Sequence, residues 1–276
     1  MRAYVAGLFD AEGVVGIYKS KDARHDGLDY KVYVSVTNTH KPVVEYLASL
    51  FGGTVKTGLP KVGKRWYRWQ IISQKAISFF LDCVYEYATN KKPQMDVVRE
   101  YIAMRGERNP AKREALYRSC RELKKQECVE TNTLDTVQPK YLRPCLAGWF
   151  DGEGSLIISA KTDGGFRIEA TLENTYYGIV KMLADTFGGS YFTRYKNGRK
   201  LHRWRCTRKE NIQQFVLEVI PYLRIKREKA LLMLEYLRTP DKESRLGIVK
   251  RSELMKIEPD LTGDSKSDPV VTLVLQ

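Results

Sequence analysis

The sequence predicts an α+β protein made of two pseudo-symmetric αββαββαα halves, each with an antiparallel sheet covered by helices on one face. Three observations carry that prediction: a duplicated glycine-containing motif, a set of shorter matches in the same order, and strands whose two faces differ in polarity. The motif Val5-Ala6-Gly7-Leu8-Phe9-Asp10-Ala11-Glu12-Gly13 returns as Leu146-Ala147-Gly148-Trp149-Phe150-Asp151-Gly152-Glu153-Gly154. Asn38-Thr39 then matches Asn174-Thr175, Phe51-Gly52-Gly53 matches Phe187-Gly188-Gly189, and Arg68-Trp69 matches Arg203-Trp204. Order is kept, and the main change of offset falls at one place, where residues 22–29 form a longer loop than Asp163-Gly164-Gly165. One loop deletion accounts for that, so the chain is a duplication.

Each half opens with an apolar helix that stops at Gly13 or Gly154, glycine being a common helix terminator, and Pro144 suits the first turn of the second one. Two strands follow. In the second of them Lys31, Tyr33 and Ser35 alternate with Val32, Val34 and Val36, and Arg167, Glu169 and Thr171 alternate with Ile168, Ala170 and Leu172. Period-two alternation of this kind marks strands with one buried face. A helix closed by Gly-Gly, two more strands and two more helices complete the unit. Residues 1–105 and 141–238 form the two halves. Residues 106–140, which have no counterpart in the repeat, form a linker with a helix around Leu116, Cys120 and Leu123 and an extended stretch at Thr131–Pro139. Residues 239–276 form a tail outside the repeat, ending in the apolar run Val270–Leu275.

Bulk composition narrows the function. Lys and Arg number 47 against 33 Asp and Glu, a net charge of +14 that favours a polyanionic partner. No apolar run reaches the about 18 residues of a membrane span. Five scattered cysteines without a Cys-x-x-Cys pair exclude a disulfide framework and a structural zinc site, which points to an intracellular, reducing compartment. Arginine, tyrosine and tryptophan crowd the polar strand faces, where a merely wetted face favours Glu, Lys and Thr.

The duplicated motif is the candidate centre. Gly7 and Ala11, like Gly148 and Gly152, are four residues apart and share a helix face, so two such helices can pack closely. Glu12 and Glu153 then meet at equivalent helix ends, where unpaired carbonyls add negative potential. Paired carboxylates beside carbonyl oxygens suit Mg²⁺, which can activate water and clamp a phosphodiester. For one copy alone, a surface glutamate is the simpler reading; duplication reverses it.

Both motif copies and their flanks resemble the LAGLIDADG homing endonuclease family, two-motif monomeric type, over residues 1–105 and 141–238. The resemblance implies that Glu12 and Glu153 bind metal with the carbonyls of Ala11 and Gly152, while Asp10 and Asp151 are structural. It implies that Asn38 and Asn174 orient water, and that a lysine lies near each scissile phosphate. Lys226 fits that pattern within Pro221-Tyr222-Leu223-Arg224-Ile225-Lys226. Lys91 is its offset partner, but Glu86–Asn90 departs from the pattern, so a solvated lysine is an equal reading there. The implied reaction is hydrolysis of one phosphodiester in each strand across the minor groove, leaving 3′ overhangs. Mg²⁺ or Mn²⁺ would support it, and Ca²⁺ would support binding without cutting.

The two sheets would form a saddle in the major groove over an asymmetric double-stranded site of roughly 20 base pairs. Strand parity names Tyr18, Lys31, Tyr33, Ser35, Arg68 and Gln70 as readers in the first half. In the second half it names Ser159, Lys161, Arg167, Glu169, Arg203 and Arg205. Lys19, Lys21, Lys56, Lys64 and Lys196 suit phosphates. An intron RNA maturase on the same scaffold and a non-cleaving DNA-binding regulator are the alternatives; both motif acids being intact favours the nuclease.

Overall fold

The computed structural model describes the chain except for residues 22–27, 61, 105, 108, 125–136 and 258–276. In the first half, α1 (Arg2–Glu12) leads into β1 (Gly13–Lys21) and β2 (Leu28–Asn38), then α2 (Lys41–Phe51), β3 (Thr54–Gly58) and β4 (Trp66–Ile71). Helices α3 (Gln74–Val84), α4 (Lys92–Ala103) and α5 (Pro110–Leu123) follow. The second half repeats the order: α6 (Pro139–Glu153), β5 (Gly154–Ala160), β6 (Phe166–Asn174), α7 (Tyr177–Phe187), β7 (Ser190–Lys196) and β8 (Arg199–Cys206). Helices α8 (Lys209–Val219), α9 (Arg227–Arg238) and α10 (Lys242–Ile257) close it. Both sheets are antiparallel, ordered β1-β2-β4-β3 and β5-β6-β8-β7.

The core explains the alternation. Val32, Val34 and Val36 are buried with Val15, Ile17, Trp69 and Ile71 beneath the helices, and Leu156, Ile158, Ala170, Leu172 and Trp204 do the same in the second half. Gly-Gly ends α2 and α7 because the chain turns there at positive φ: +66° and +93° at Gly52 and Gly53, +68° and +92° at Gly188 and Gly189. The free carbonyls at those turns accept the Trp69 and Trp204 indole N–H at 2.7 and 2.8 Å, tying each turn to its sheet.

One expectation holds with a physical reason of its own, and two need correction. Gly13 and Gly154 end the motif helices with extended backbones, φ −78° and −79°. The helices stop at these glycines as expected, for want of room and not through a left-handed turn: a Cβ there would strike the rings of Phe9 and Phe150 at 2.1 and 2.3 Å. Pro144 lies inside α6, which begins at Pro139. It costs one helical hydrogen bond, to the carbonyl of Lys140, and Lys140 is exposed to water.

The second correction extends the repeat. α5 and α10 occupy matching places in the two halves. α5 packs along β1 and α10 along β5, the outer edge strand of each sheet. Cys120 Sγ lies 4.0 Å from the Val15 carbonyl, and the buried Ser252 hydroxyl donates to the Ile158 carbonyl at 3.0 Å. Each half is therefore αββαββααα, with a last helix shielding an open sheet edge. Residues 131–136 of the expected extended stretch and the terminal apolar run lie outside the described residues. No described helix is long and apolar enough to cross a membrane.

Candidate active site between the motif helices

α1 and α6 pack against each other through their glycines. A Cβ on Gly7 would lie 2.0 Å from the Cys145 carbonyl oxygen, and one on Gly148 would lie 2.1 Å from that of Tyr4. Neither backbone could hold its place with a side chain there. Farther along, a Cβ on Gly152 would sit 2.4 Å from Ala11 Cβ and 3.1 Å from Glu12 Cγ, so the contact runs to the acidic end of the pair.

Glu12 and Glu153 meet there. Burial and then the Glu153 charge raise the Glu12 carboxyl to about 7. Burial raises Glu153 as well, with Lys226 and Lys91 opposing it. Asn38 Nδ2 donates to Glu12 Oε1 and Asn174 Nδ2 to Glu153 Oε1, both at 3.4 Å. The amide oxygens are held in turn by the backbone N–H of His40 at 2.8 Å and of Tyr176 at 2.9 Å. Each asparagine is thereby fixed at the end of its strand and aimed at its own acid.

The buried Asp10 and Asp151 perform a different task. Asp10 accepts from the N–H and hydroxyl of Thr89 at 2.6 and 2.9 Å and from the Lys91 N–H at 3.0 Å. Asp151 accepts from the N–H groups of Arg224, Ile225 and Lys226 at 2.7, 3.1 and 2.9 Å, and from the Tyr4 hydroxyl at 2.8 Å. Each carboxylate anchors the loop that precedes α4 or α9. The anchored loops place lysines over the helix ends: Lys91 Nζ donates to the Asp10 carbonyl at 2.5 Å, and Lys226 Nζ to the Asp151 carbonyl. Lys91 thus stands as Lys226 does, although its sequence context departs from the pattern. The clamp is set by backbone N–H groups, which any sequence carries. Burial lowers the Lys226 amine, with Asp151, Glu12 and Glu153 pulling the other way.

The residues converge on two carboxylates at two helix C-termini, where helix carbonyls are left without partners inside the helix, flanked by two ammonium groups. That donor chemistry fits Mg²⁺ or Mn²⁺. Among the described residues no group of three or more His, Cys, Asp or Glu gathers, so a cation here would complete its shell from carbonyls and water.

No family model and no curated protein sequence matches the chain. Solved structures do. The LAGLIDADG homing endonuclease I-GzeII in complex with its DNA target superposes with a TM-score of 0.71 at 15% identity, covering 93% of this chain and 97% of that one. I-SmaMI bound to uncleaved DNA in the presence of calcium ions gives 0.68 at 16%, covering 94% and 99%. I-SmaMI bound to cleaved DNA gives 0.69 at 16%, covering 92% and 96%. The fold is that of the LAGLIDADG homing endonucleases.

The outer sheet faces of this LAGLIDADG fold carry most of the expected readers. Cross-strand pairing puts Tyr18, Lys31, Tyr33, Arg68, Gln70 and Lys56 on one face of the first sheet. It puts Ser159, Arg167, Arg203, Arg205 and Lys196 on the corresponding face of the second, which Lys161 continues. Lys31, Lys56, Lys64, Arg68, Lys161, Arg167, Lys196 and Arg205 are exposed. Strands β3 and β7 lie open along nearly their whole length.

Three assignments change. Lys19 has the parity of the core residues Val15 and Ile17, so it turns away from that face; it pairs with Glu114 of α5 at 2.7 Å and lies over the Tyr117 ring. Ser35 is buried between its strand neighbours Val14 and Gln70. Glu169 is wholly buried under three arginines and offers no surface of its own. The Lys21 side chain lies outside the described residues; its strand parity is that of Lys19.

Proposed function

We propose that the chain is a site-specific, metal-dependent double-strand DNA endonuclease of the intron- or intein-homing kind, acting as a monomer on an asymmetric target of about 20 base pairs. The observation that carries the reading is the twofold constellation at the α1–α6 contact: one glutamate, one asparagine and one lysine from each half, each held by its own network. One set per strand is what a double-strand cut requires. The DNA-bound I-GzeII and I-SmaMI structures support DNA as the partner.

Glu12 and Glu153, with the carbonyls of Ala11 and Gly152, would hold Mg²⁺ or Mn²⁺, which supplies charge stabilisation at the phosphodiester and a more acidic water. Asn38 and Asn174 orient the groups around each acid. Lys91 and Lys226 place positive charge where a phosphate would enter, favouring the extra negative charge of the displacement. The sheet faces bind the flanking duplex, and cutting across the minor groove would leave 3′ overhangs. Ca²⁺, larger and less exacting in geometry, would hold the complex without cutting.

The test is cleavage selection from a randomised or genomic DNA library with Mg²⁺, alongside a Ca²⁺ control. Recovery of one long cut site only with Mg²⁺ is expected. Glu12→Gln and Glu153→Gln should each abolish double-strand cutting or leave nicking while binding survives. Full double-strand cutting by the doubly substituted protein would remove the metal site from the argument. Splicing of a host intron without any DNA cutting would favour an RNA maturase instead.

A further inference from the structure

We propose that Glu169 is a positioning residue for base recognition, holding Arg167, Arg203 and Arg205 as a fixed guanidinium cluster that reads guanines in the half-site under β5–β8. The inference rests on the DNA-cleavage reading above. Glu169 lies on the strand face that also carries the exposed Arg167 and Arg205, yet its exposure is 0%. Arg167 donates to Oε2 at 3.0 and 2.6 Å through Nε and Nη2. Arg205 Nε lies 3.1 Å from the same oxygen, and Arg203 Nη2 donates to Oε1 at 3.2 Å. With Phe192 these residues line a concavity of about 310 Å³.

A carboxylate sunk into an outer face is costly unless its partners repay the lost hydration, and a solvated face gains nothing from one. What it does gain is orientation. Three long side chains that would otherwise sample many rotamers are tied to one point, and the Arg167 and Arg205 side chains remain exposed there. Arg203 is the most buried of the three, its Nε shut away from water and its Nη2 on the acid, whereas Arg167 and Arg205 stay exposed where a base edge would come. A phosphate would be better served by three arginines without the acid, which offsets one of their charges. A base edge needs fixed planes more than net charge, and guanine O6 and N7 are the pair that a guanidinium fork matches. The first half is built otherwise: the equivalent of Glu169 is Tyr33, packed edge-on to Tyr18 at 5.7 Å between ring centres. The two half-sites are therefore read by different chemistry.

The experiment is base-by-base selection on a randomised library with the full chain, by binding in Ca²⁺ and by cutting in Mg²⁺. Wild type should show guanine preferences at a few adjacent positions in one half-site. Glu169→Gln should weaken those preferences by on the order of tenfold, leaving the other half-site profile and the Tm within a few degrees. Arg205→Lys, which keeps the charge and loses the fork, should relax the same positions without a uniform loss of affinity. An unchanged base profile in both variants, or a loss spread evenly over all sequences as for a phosphate contact, overturns the proposal. A recovered site lacking those guanines overturns it while the nuclease reading stands. Recovery of no bound or cut DNA at all overturns both.

Discussion

Glu12 is held in two opposing ways at once: burial and Glu153 disfavour its charge, while Lys226 and Lys91 favour it. Its folded value of about 7 stands above the ordinary 4.5. Between those pH values the folded protein keeps a proton that the unfolded chain has released, so stability falls as pH climbs through that window. Glu12→Gln carries no such proton. The variant should be more stable than wild type above pH 7 by about 1–2 kcal/mol, once solvent screening at this partly buried site is allowed for. That corresponds to a gain of about 2–8 °C in Tm for a chain of this size, shrinking towards nothing near pH 4. Thermal unfolding in EDTA at both pH values checks it, and an equal shift at the two would sink the account. The two acids and two asparagines were legible in the sequence because the duplication pairs them. Lys91 was legible only as the offset partner of Lys226, with a solvated lysine an equal reading, since its place depends on Asp10 binding backbone N–H groups, which leave no mark in residue identity. Lys91→Met and Lys226→Met should slow cutting to a similar extent, roughly 10²-fold or more, measured as single-turnover rates on matched substrates.

At the scale of elements, the helix crossing decides whether the acids meet. Gly148→Ala places a Cβ 2.1 Å from a backbone oxygen that cannot rotate away, so the helices must separate. Denaturant unfolding should show a loss of about 1–3 kcal/mol or more. Cutting should fall further than the unfolded fraction explains, because Glu12 and Glu153 move apart. Gly247→Ala supplies the contrast. It sits in α10 with nothing within 4 Å of the added carbon, and should stabilise by about 0.5–1 kcal/mol. The alternating strands and the small motif residues made sheets and crossing readable in advance. The spacing of Leu116, Cys120 and Leu123 announced the helix that became α5, but the edge-covering roles of α5 and α10 were not legible, because edge protection uses backbone carbonyls and single contacts such as that of Ser252, which leave no periodic pattern. Ser252→Ala should cost about 1–3 kcal/mol, since it removes the hydrogen bond to Ile158 and a partner of Lys229.

Across the whole molecule, a charge of +14 sets how the protein meets a polyanion, but the sum does not say which charges do so. The fold divides them. Lys19 spends its charge on Glu114 under α5, whereas Lys196 stands exposed at the end of β7, opposite Arg199 across the strand pair. Counting lysines in the sequence treated the two alike, because strand parity becomes decisive only when the strand's packed face is known. DNA affinity should therefore fall steeply with salt, by about 10³–10⁵ between 50 and 200 mM for six to ten phosphate contacts. Lys196→Gln should reduce the slope of log affinity against log salt by about 0.9, with equal effect on target and unrelated DNA. Lys19→Gln should leave that slope unchanged and cost no more than about 1 kcal/mol of stability, as for a part-exposed ion pair. Binding titrations in Ca²⁺ at several salt concentrations separate the two. If Lys19→Gln flattened the slope as much as Lys196→Gln does, the assignment of the outer sheet faces to DNA would have to be given up in favour of the edge that α5 covers.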